Sequence, residues 1–417
     1  MPAETPRSDV DAAAGQKPEP HDSQERHASW LELFFDLVAV TAVAQVAHLL
    51  RGDLGPSDLG LYALLFLALW TAWICFTLYG NVAGEGTRTR TVLLAMFGMA
   101  VMAAAVHGVH EEEDQHARVF ALAYVLIRVL ANQSWQRRRQ VLVDWPAAQM
   151  SLGVTPWIVS LWAHAPVRYW LWALGVALDL YVTFAVSARE FVKRHKEEDE
   201  QEALERSGSR TEGGSSRSTP PVTGIAVARS QAEHLSERLG LFVLIVLGEG
   251  IAQVVDAVSD VAWHRDVWTL GVASFFLLAA VWTLSFRHGY SGVPHLAEGV
   301  LPTRAALPLH CFLSGCLAAL AAALGSAVEH PDSLSDGTRW LMCSALAGYF
   351  LLSGLAWLPD AHQEGRWLRW VALPCTGLPL LLAAFGTGVR TGVVIWLLVL
   401  VVLWPIFYDR RRRTELR

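Results

Sequence analysis

The chain has 417 residues, 53% of them hydrophobic and only 17% charged, with 18 Trp and a formal charge of −6. A soluble domain carries nearer a quarter charged residues, so a soluble globular protein is excluded. Apolar blocks of about 18–24 residues recur at the length a helix needs to cross a bilayer, roughly twice that of a barrel strand and without its alternation, which excludes a membrane β-barrel as well.

Residues 1–28 are polar, rich in Pro, Asp, Glu, Gln and His, and lack the apolar core of a signal peptide. They are expected to form a disordered cytoplasmic tail. Six spans follow in a first membrane half, 29–192, near 30–50, 59–79, 91–109, 117–135, 145–164 and 168–190. The stretch 193–233 is dominated by charge, Ser, Gly and Pro and is expected to be a flexible cytoplasmic linker. A second half, 234–408, holds six more spans near 234–257, 267–288, 305–328, 339–358, 368–388 and 391–408. A basic cytoplasmic tail closes the chain at 409–417, "DRRRRTELR".

The expected fold class is therefore all-α, a polytopic integral membrane protein with about twelve transmembrane helices. Loop charge agrees with that count. With the N-terminus inside, 26 of the 33 Lys and Arg residues fall on the cytoplasmic side, as the positive-inside rule requires. Both termini are then cytoplasmic. Glu32 corresponds to Glu237, the "AQV" at 44–46 to that at 252–254, and Trp73 and Gly80 to Trp282 and Gly289. These correspondences suggest two six-helix parallel repeats about an axis along the membrane normal.

Several polar residues sit inside apolar blocks. In "SWLELFFDLVAVTAVAQVAHLL", 29–50, Glu32 and Asp36 share a helix face by their spacing of four, with Gln45 and His48 near the far end. A mid-membrane carboxylate costs about 2.5–3.5 kcal/mol on insertion scales. Glu32 is placed to serve either as an N-terminal cap or in a site, whereas Asp36 lies too deep to cap. Arg128 is the cation well inside a span, so it needs an acid, from Asp36, Asp179 or Glu249. Glu237 and Arg238 read either as interfacial snorkelling side chains or as site residues. His310 reads as a proton-accepting group or as a hydrogen-bonded core imidazole. Glu249 lies past the middle of the seventh span between Gly248 and Gly250. Two glycines and an acid in succession are poor helix-interior choices, which points to a local break or a close helix approach beside a hydrated cavity.

"WLELFFDLV" at 30–38 and "HLSERLGLFVLIVLGEGI" at 234–251 resemble the openings of the bacterial low temperature requirement protein A family, across 29–408. The family pattern has Ser where this chain has Gly250 and often Phe where it has Ala39. The resemblance implies a multi-pass membrane fold in the bacterial cytoplasmic membrane, and no mechanism. The chain has no Walker A loop, dinucleotide glycine fingerprint, HExxH or GxSxG, and no cofactor, bound metal or nucleic-acid partner is expected. The expected partners are the lipid bilayer and either a small solute or protons. The leading expectation is a proton- or cation-coupled carrier for a small solute. The alternatives are a membrane-integral enzyme acting on a lipid or lipid-linked substrate, and a membrane sensor or structural protein.

Overall fold

The computed structural model describes residues 28–415 apart from 53, 111–113, 139, 143–144, 149–151, 186–225, 292, 294–295, 297–300, 332–333 and 358–367. Twelve α-helices occur among the described residues. They are α1 (Trp30–Ala47), α2 (Pro56–Ala83), α3 (Thr89–Ala105), α4 (Gln115–Arg138), α5 (Val154–Ser160) and α6 (Val167–Ala185), then α7 (Ala232–Asp260), α8 (Arg265–Arg287), α9 (Thr303–Glu329), α10 (Asp336–Trp357), α11 (Leu373–Phe385) and α12 (Thr391–Glu415). Two three-residue strands, β1 (Gln140–Leu142) and β2 (Ala226–Ala228), pair in parallel.

Among the described residues, seven stretches are long and apolar enough to cross a membrane: Trp30–Leu50, Pro56–Ala83, Thr89–Gly108, Ala232–Asp260, Arg265–Arg287, Thr303–Glu329 and Thr391–Arg410. Two of these helices are the pillars of the molecule. Every residue of α2 from Ala68 to Asn81 is buried, and so is every residue of α9 from Leu317 to Val328. A helix apolar on all sides needs neighbours on all sides, and each pillar has them.

The neighbours repeat. In the first half α1 packs on α2 and α3, α3 on α4, α4 on α5, α5 on α6, and α6 returns to α2. In the second half α7 packs on α8 and α9, α9 on α10, α10 on α11, α11 on α12, and α12 returns to α8. Each half is thus a closed ring with the same order of neighbours, save that α2 also packs on α4 and no comparable α8–α10 packing occurs among the described residues. The rings meet through α1 and α2 of one and α7 and α9 of the other. Ser29–Asp36 and Gln231–Arg238 lie side by side, so α1 and α7 start at the same end of the bundle, here the near end. Arg51 and Glu329 meet at the opposite, far end.

Several expectations need correction. The span expected at 145–164 is not a continuous helix. It contains a single 3-10 turn, Pro146–Ala148, and the two turns of α5. Pro146, Gly153 and Pro156 explain why: Pro lacks the donor a helix interior uses, and Gly is a weak helix former. Pro146, Ala147 and Ala148 are buried in protein, the condition under which irregular backbone is tolerated at membrane depth. The span expected at 368–388 is helical without a break from Leu368 to Phe385, a π-helical turn (Leu368–Ala372) running directly into α11, with Pro374 and Pro379 in its sequence. The linker expected at 193–233 lies outside the described residues as far as 225, but its end forms β2 and the first turn of α7. The tail expected at 1–28 lies outside them as far as 27. The basic tail at 409–417 starts inside a helix, since α12 runs to Glu415. The break considered at 248–250 is absent: α7 is continuous for 29 residues.

Candidate functional site

At the near end, Ser29 caps α1. Its hydroxyl accepts from the Glu32 amide at 3.3 Å, and its own amide donates to Glu32 Oε2 at 2.8 Å, a reciprocal capping box. This places the Glu32 carboxylate at the seam between the rings, against Gly80, where an added Cβ would lie 3.0 Å from Glu32 Oε1. One turn deeper, Asp36 is fully buried. Its carboxylate accepts from Arg238 Nε at 2.9 Å, Arg238 Nη2 at 2.5 Å and Trp73 Nε1 at 2.7 Å. Arg238 Nη1 lies 3.3 Å from Glu32 Oε1. One guanidinium therefore faces both acids of α1, with all three of its nitrogens engaged.

His234, one turn before Arg238, joins the same knot. The Gln231 amide donates to Asn81 Oδ1 at 2.7 Å, which fixes the orientation of the Asn81 amide. Asn81 Nδ2 then faces Gln231 O and His234 Nδ1, both at 3.1 Å. With Nδ1 accepting, the ring proton is on Nε2, which faces Glu32 Oε2 at 3.5 Å. Glu237, the neighbour of Arg238, is only half-buried.

Above the knot lies an aromatic layer built around His310. Trp70 Nε1 donates to His310 Nδ1 at 3.2 Å, and His310 Nε2 donates to the Leu239 carbonyl at 3.0 Å. Both ring nitrogens are engaged, and the imidazole sits against Trp73 and Phe242, with centroids 5.8 and 5.5 Å away.

Arg128 pairs with Asp179, through Nη1 to Oδ2 at 2.6 Å and Nη2 to Oδ1 at 3.2 Å. Nη2 also donates to the Ala147 carbonyl at 2.8 Å, and Nη1 to Tyr124 Oη at 3.2 Å. This arginine satisfies backbone of the broken fifth segment that no helix serves. The second ring repeats the device with another residue: Arg339 on α10 donates from Nε to the Ala383 carbonyl of α11 at 3.0 Å.

Glu249 lies elsewhere, in the far half of α7. It is half-buried, and Gln253 Nε2 donates to it at 3.4 Å. A Cβ added at Gly248 would meet nothing within 4 Å, whereas one at Gly250 would meet Ala321 at 3.1 Å and Leu278 at 3.4 Å. Only Gly250 marks a close helix approach. One turn on, Gln253 is buried, with Oε1 making no hydrogen bond among the described residues. Gly325 of α9 stands beside it, and Arg51 Nη2 would lie 3.5 Å from a Cβ there. Arg51, just after α1, reaches Glu329 at 3.2 Å, and its buried Nε and Nη2 make no hydrogen bond among the described residues. His48 and His107 stack loosely nearby, centroids 6.3 Å apart.

The far-end loops are tied by Asp114, which accepts from Arg168 Nη1 at 2.6 Å and also contacts His164. The hydrogen bond from Arg168 holds the Asp114 carboxyl below the usual aspartate range.

Of the residues singled out in the sequence, Glu32 and Asp36 come together with Arg238, and Arg128 with Asp179. Glu249 joins neither cluster, and Gln45 is half-buried outside both. Sequence reasoning passed over His234, Asn81, Arg51 and Gln253. A signal existed for Gln253, since it is the Gln of the second "AQV".

The profile of the bacterial low temperature requirement A protein (LtrA) family matches residues 27–407, from just before the capping box to well into α12. The chain belongs to this family. An uncharacterized protein of Rhizobium meliloti (strain 1021) is 26% identical over 407 residues, 92% of this chain and 90% of that one. Membership and the apolar helices together make this LtrA-family chain a multi-pass integral membrane protein whose environment is the lipid bilayer. Both clusters fall inside the matched region.

Proposed function

We propose that this protein is a twelve-crossing carrier for a small solute, coupled to protons or a cation, built from two six-helix parallel repeats. Its termini and the 193–233 segment face the cytoplasm, so the near end is cytoplasmic. The repeat reading is supported by the matching neighbour order around the two rings, α2–α4 apart. The sidedness is supported by the placing of 26 of 33 Lys and Arg residues.

One observation carries the carrier reading. The two rings are joined by an arginine–carboxylate bridge at each end, and the direction reverses. At the near end the second ring supplies Arg238 and the first supplies Asp36. At the far end the first ring supplies Arg51 and the second supplies Glu329. Fifteen residues, along α1 and the 3-10 turn His48–Leu50 after it, separate Asp36 from Arg51, about 22 Å at a helical rise. A carrier needs two barriers that open alternately around a site between its halves, and paired bridges across one seam suit that task. The near bridge is dry, with both oxygens of Asp36 bonded; the far one is partly solvated, and Nε and Nη2 of Arg51 make no hydrogen bond among the described residues. Glu249 and Gln253 stand just inside the far barrier, where a carboxylate takes up a proton or cation as that side opens.

A lipid-directed enzyme would need carboxylates in a lateral opening. The two large grooves on the helix faces, about 610 Å³ between α7 and α8 and about 720 Å³ between α11 and α12, have no acid among their described lining residues.

The test is transport by purified protein in proteoliposomes under an imposed pH gradient, across a panel of small solutes, with internal pH followed by a trapped dye. Wild type is expected to move one solute class with protons or in exchange for them. Glu249→Gln is expected to insert normally and to lose coupled movement, while Glu249→Asp retains part of it. Full coupled transport by Glu249→Gln would remove Glu249 from the mechanism.

A further inference from the structure

The near end carries a second feature, away from the seam. Where α2 ends, α3 begins and α4 ends, a polar cavity of about 210 Å³ is lined by Tyr79, Gly86, Arg88, Thr91, Ser134 and Arg137. Two arginines and three hydroxyl-bearing residues line it, and no acid stands among the described lining residues. The turn leading into it needs glycine, since Gly84 has φ +58°. Tyr79 is held from behind by Trp135, edge to face with centroids 6.1 Å apart. The amides of Thr91 and Val92 turn back to the Arg88 carbonyl, so the preceding amides at the start of α3 lack partners within the helix. Guanidinium groups, hydroxyls and a helix start converging on one small volume make a receptor for a tetrahedral oxyanion.

The walls beyond the cavity identify the source of that oxyanion. Along α3, Leu94 and Phe97 are 59% and 69% exposed, and Leu126 on the adjoining α4 is 59% exposed. The two helices are pressed together there, since a Cβ on Gly98 would come within 2.7 Å of Ile127. A continuous apolar face therefore runs from the mouth of the basic cavity along a helix long enough to cross the membrane. A soluble anion has no use for that wall, whereas the acyl chains of a phospholipid do.

We propose that the Arg88–Arg137 cavity binds the phosphate headgroup of an anionic phospholipid, whose acyl chains lie along the exposed face of α3 and α4. The site is independent of the transport reading, because it rests on neither Glu249 nor the seam.

The test uses the full chain, delipidated in mild detergent, with retained lipid counted by native mass spectrometry. Phosphatidylglycerol and phosphatidylcholine of identical acyl chains are offered, and inorganic phosphate is offered separately. Wild type is expected to retain phosphatidylglycerol at least about tenfold better, because both lipids carry the phosphate but the choline cation of phosphatidylcholine is a like charge beside the two arginines. Arg88→Gln/Arg137→Gln should abolish the preference, and Arg88→Lys/Arg137→Lys should keep part of it. Arg229→Gln, an exposed cation at the same end outside the cavity, should leave it intact. Equal retention of the two lipids, or equal loss in Arg229→Gln, would overturn the site. Inorganic phosphate that raises the melting temperature as much as phosphatidylglycerol does would overturn the lipid as its ligand. Both arginines are exposed, so the variants should melt like wild type in lipid-free detergent.

Discussion

The bridges at the two ends of the seam use the same chemistry and differ in completeness. Around Asp36, three donors meet one carboxylate with no exposure at all. Around Arg51, one contact at 3.2 Å is made by side chains 20% and 27% exposed, and two buried donor atoms make no hydrogen bond among the described residues. A buried charge with every lone pair met is costly to disturb; a half-met one near water is cheap to disturb. The first is built to hold and the second to exchange partners.

The largest effect should come from breaking the complete bridge. Arg238→Leu leaves Asp36 buried without its cation and should lower stability in detergent by about 3–5 kcal/mol. Arg238→Leu/Asp36→Leu should recover part of that, because it removes the unmet Asp36 charge while Glu32 still loses its cation and Trp73 its acceptor. A single-variant loss under about 1 kcal/mol would erase the difference between the two ends.

Arg128→Leu should come next, at about 3 kcal/mol. Adding Asp179→Asn should restore only part, since the Ala147 carbonyl also loses its donor. Full restoration would mean that the backbone contact contributes nothing.

Opening the far bridge with Arg51→Gln should cost less than about 1 kcal/mol, the range of solvated pairs, while altering transport in proteoliposomes. A loss as large as that of Arg238→Leu would show the far end to be equally rigid.

The smallest effect concerns Asp114, outside the spans. Its pKa is lowered in the folded protein by the Arg168 hydrogen bond, with His164 adding to it. Its contribution to stability is therefore present above the ordinary aspartate pKa of about 3.9 and fades as pH falls through the lowered value. Melting temperature followed from neutral pH down to about 3 should fall less steeply in Asp114→Asn than in wild type. Parallel curves would show that Asp114 is not coupled to folding.

Much of this architecture could be read from the chain. Apolar run length gave the membrane helices because a span's length is set by the bilayer and not by its neighbours. The divided fifth segment was missed although Pro146, Gly153 and Pro156 stood in plain view, since mean apolarity says nothing about backbone continuity. Asp36 drew attention as too deep to cap, and Arg238 appeared as an interfacial cation. Their union escaped sequence reasoning, because ring packing and no local spacing brings them together. Glu249 was singled out for its flanking glycines, and only Gly250 proved to serve packing. His234 gave no signal, as its proton position depends on an amide contributed by another helix.

The Asp36–Arg238 bridge also sets a schedule. Its partners are 202 residues apart in the chain, and synthesis runs at about 5–20 residues per second. After α1 leaves the ribosome, Asp36 waits on the order of 10–40 s for its guanidinium. The first ring can close during that interval, yet its most buried acid stays uncompensated until α7 arrives. A nascent chain halted between the two rings should therefore be a preferred target for membrane quality-control proteases, and Asp36→Leu should lengthen its life.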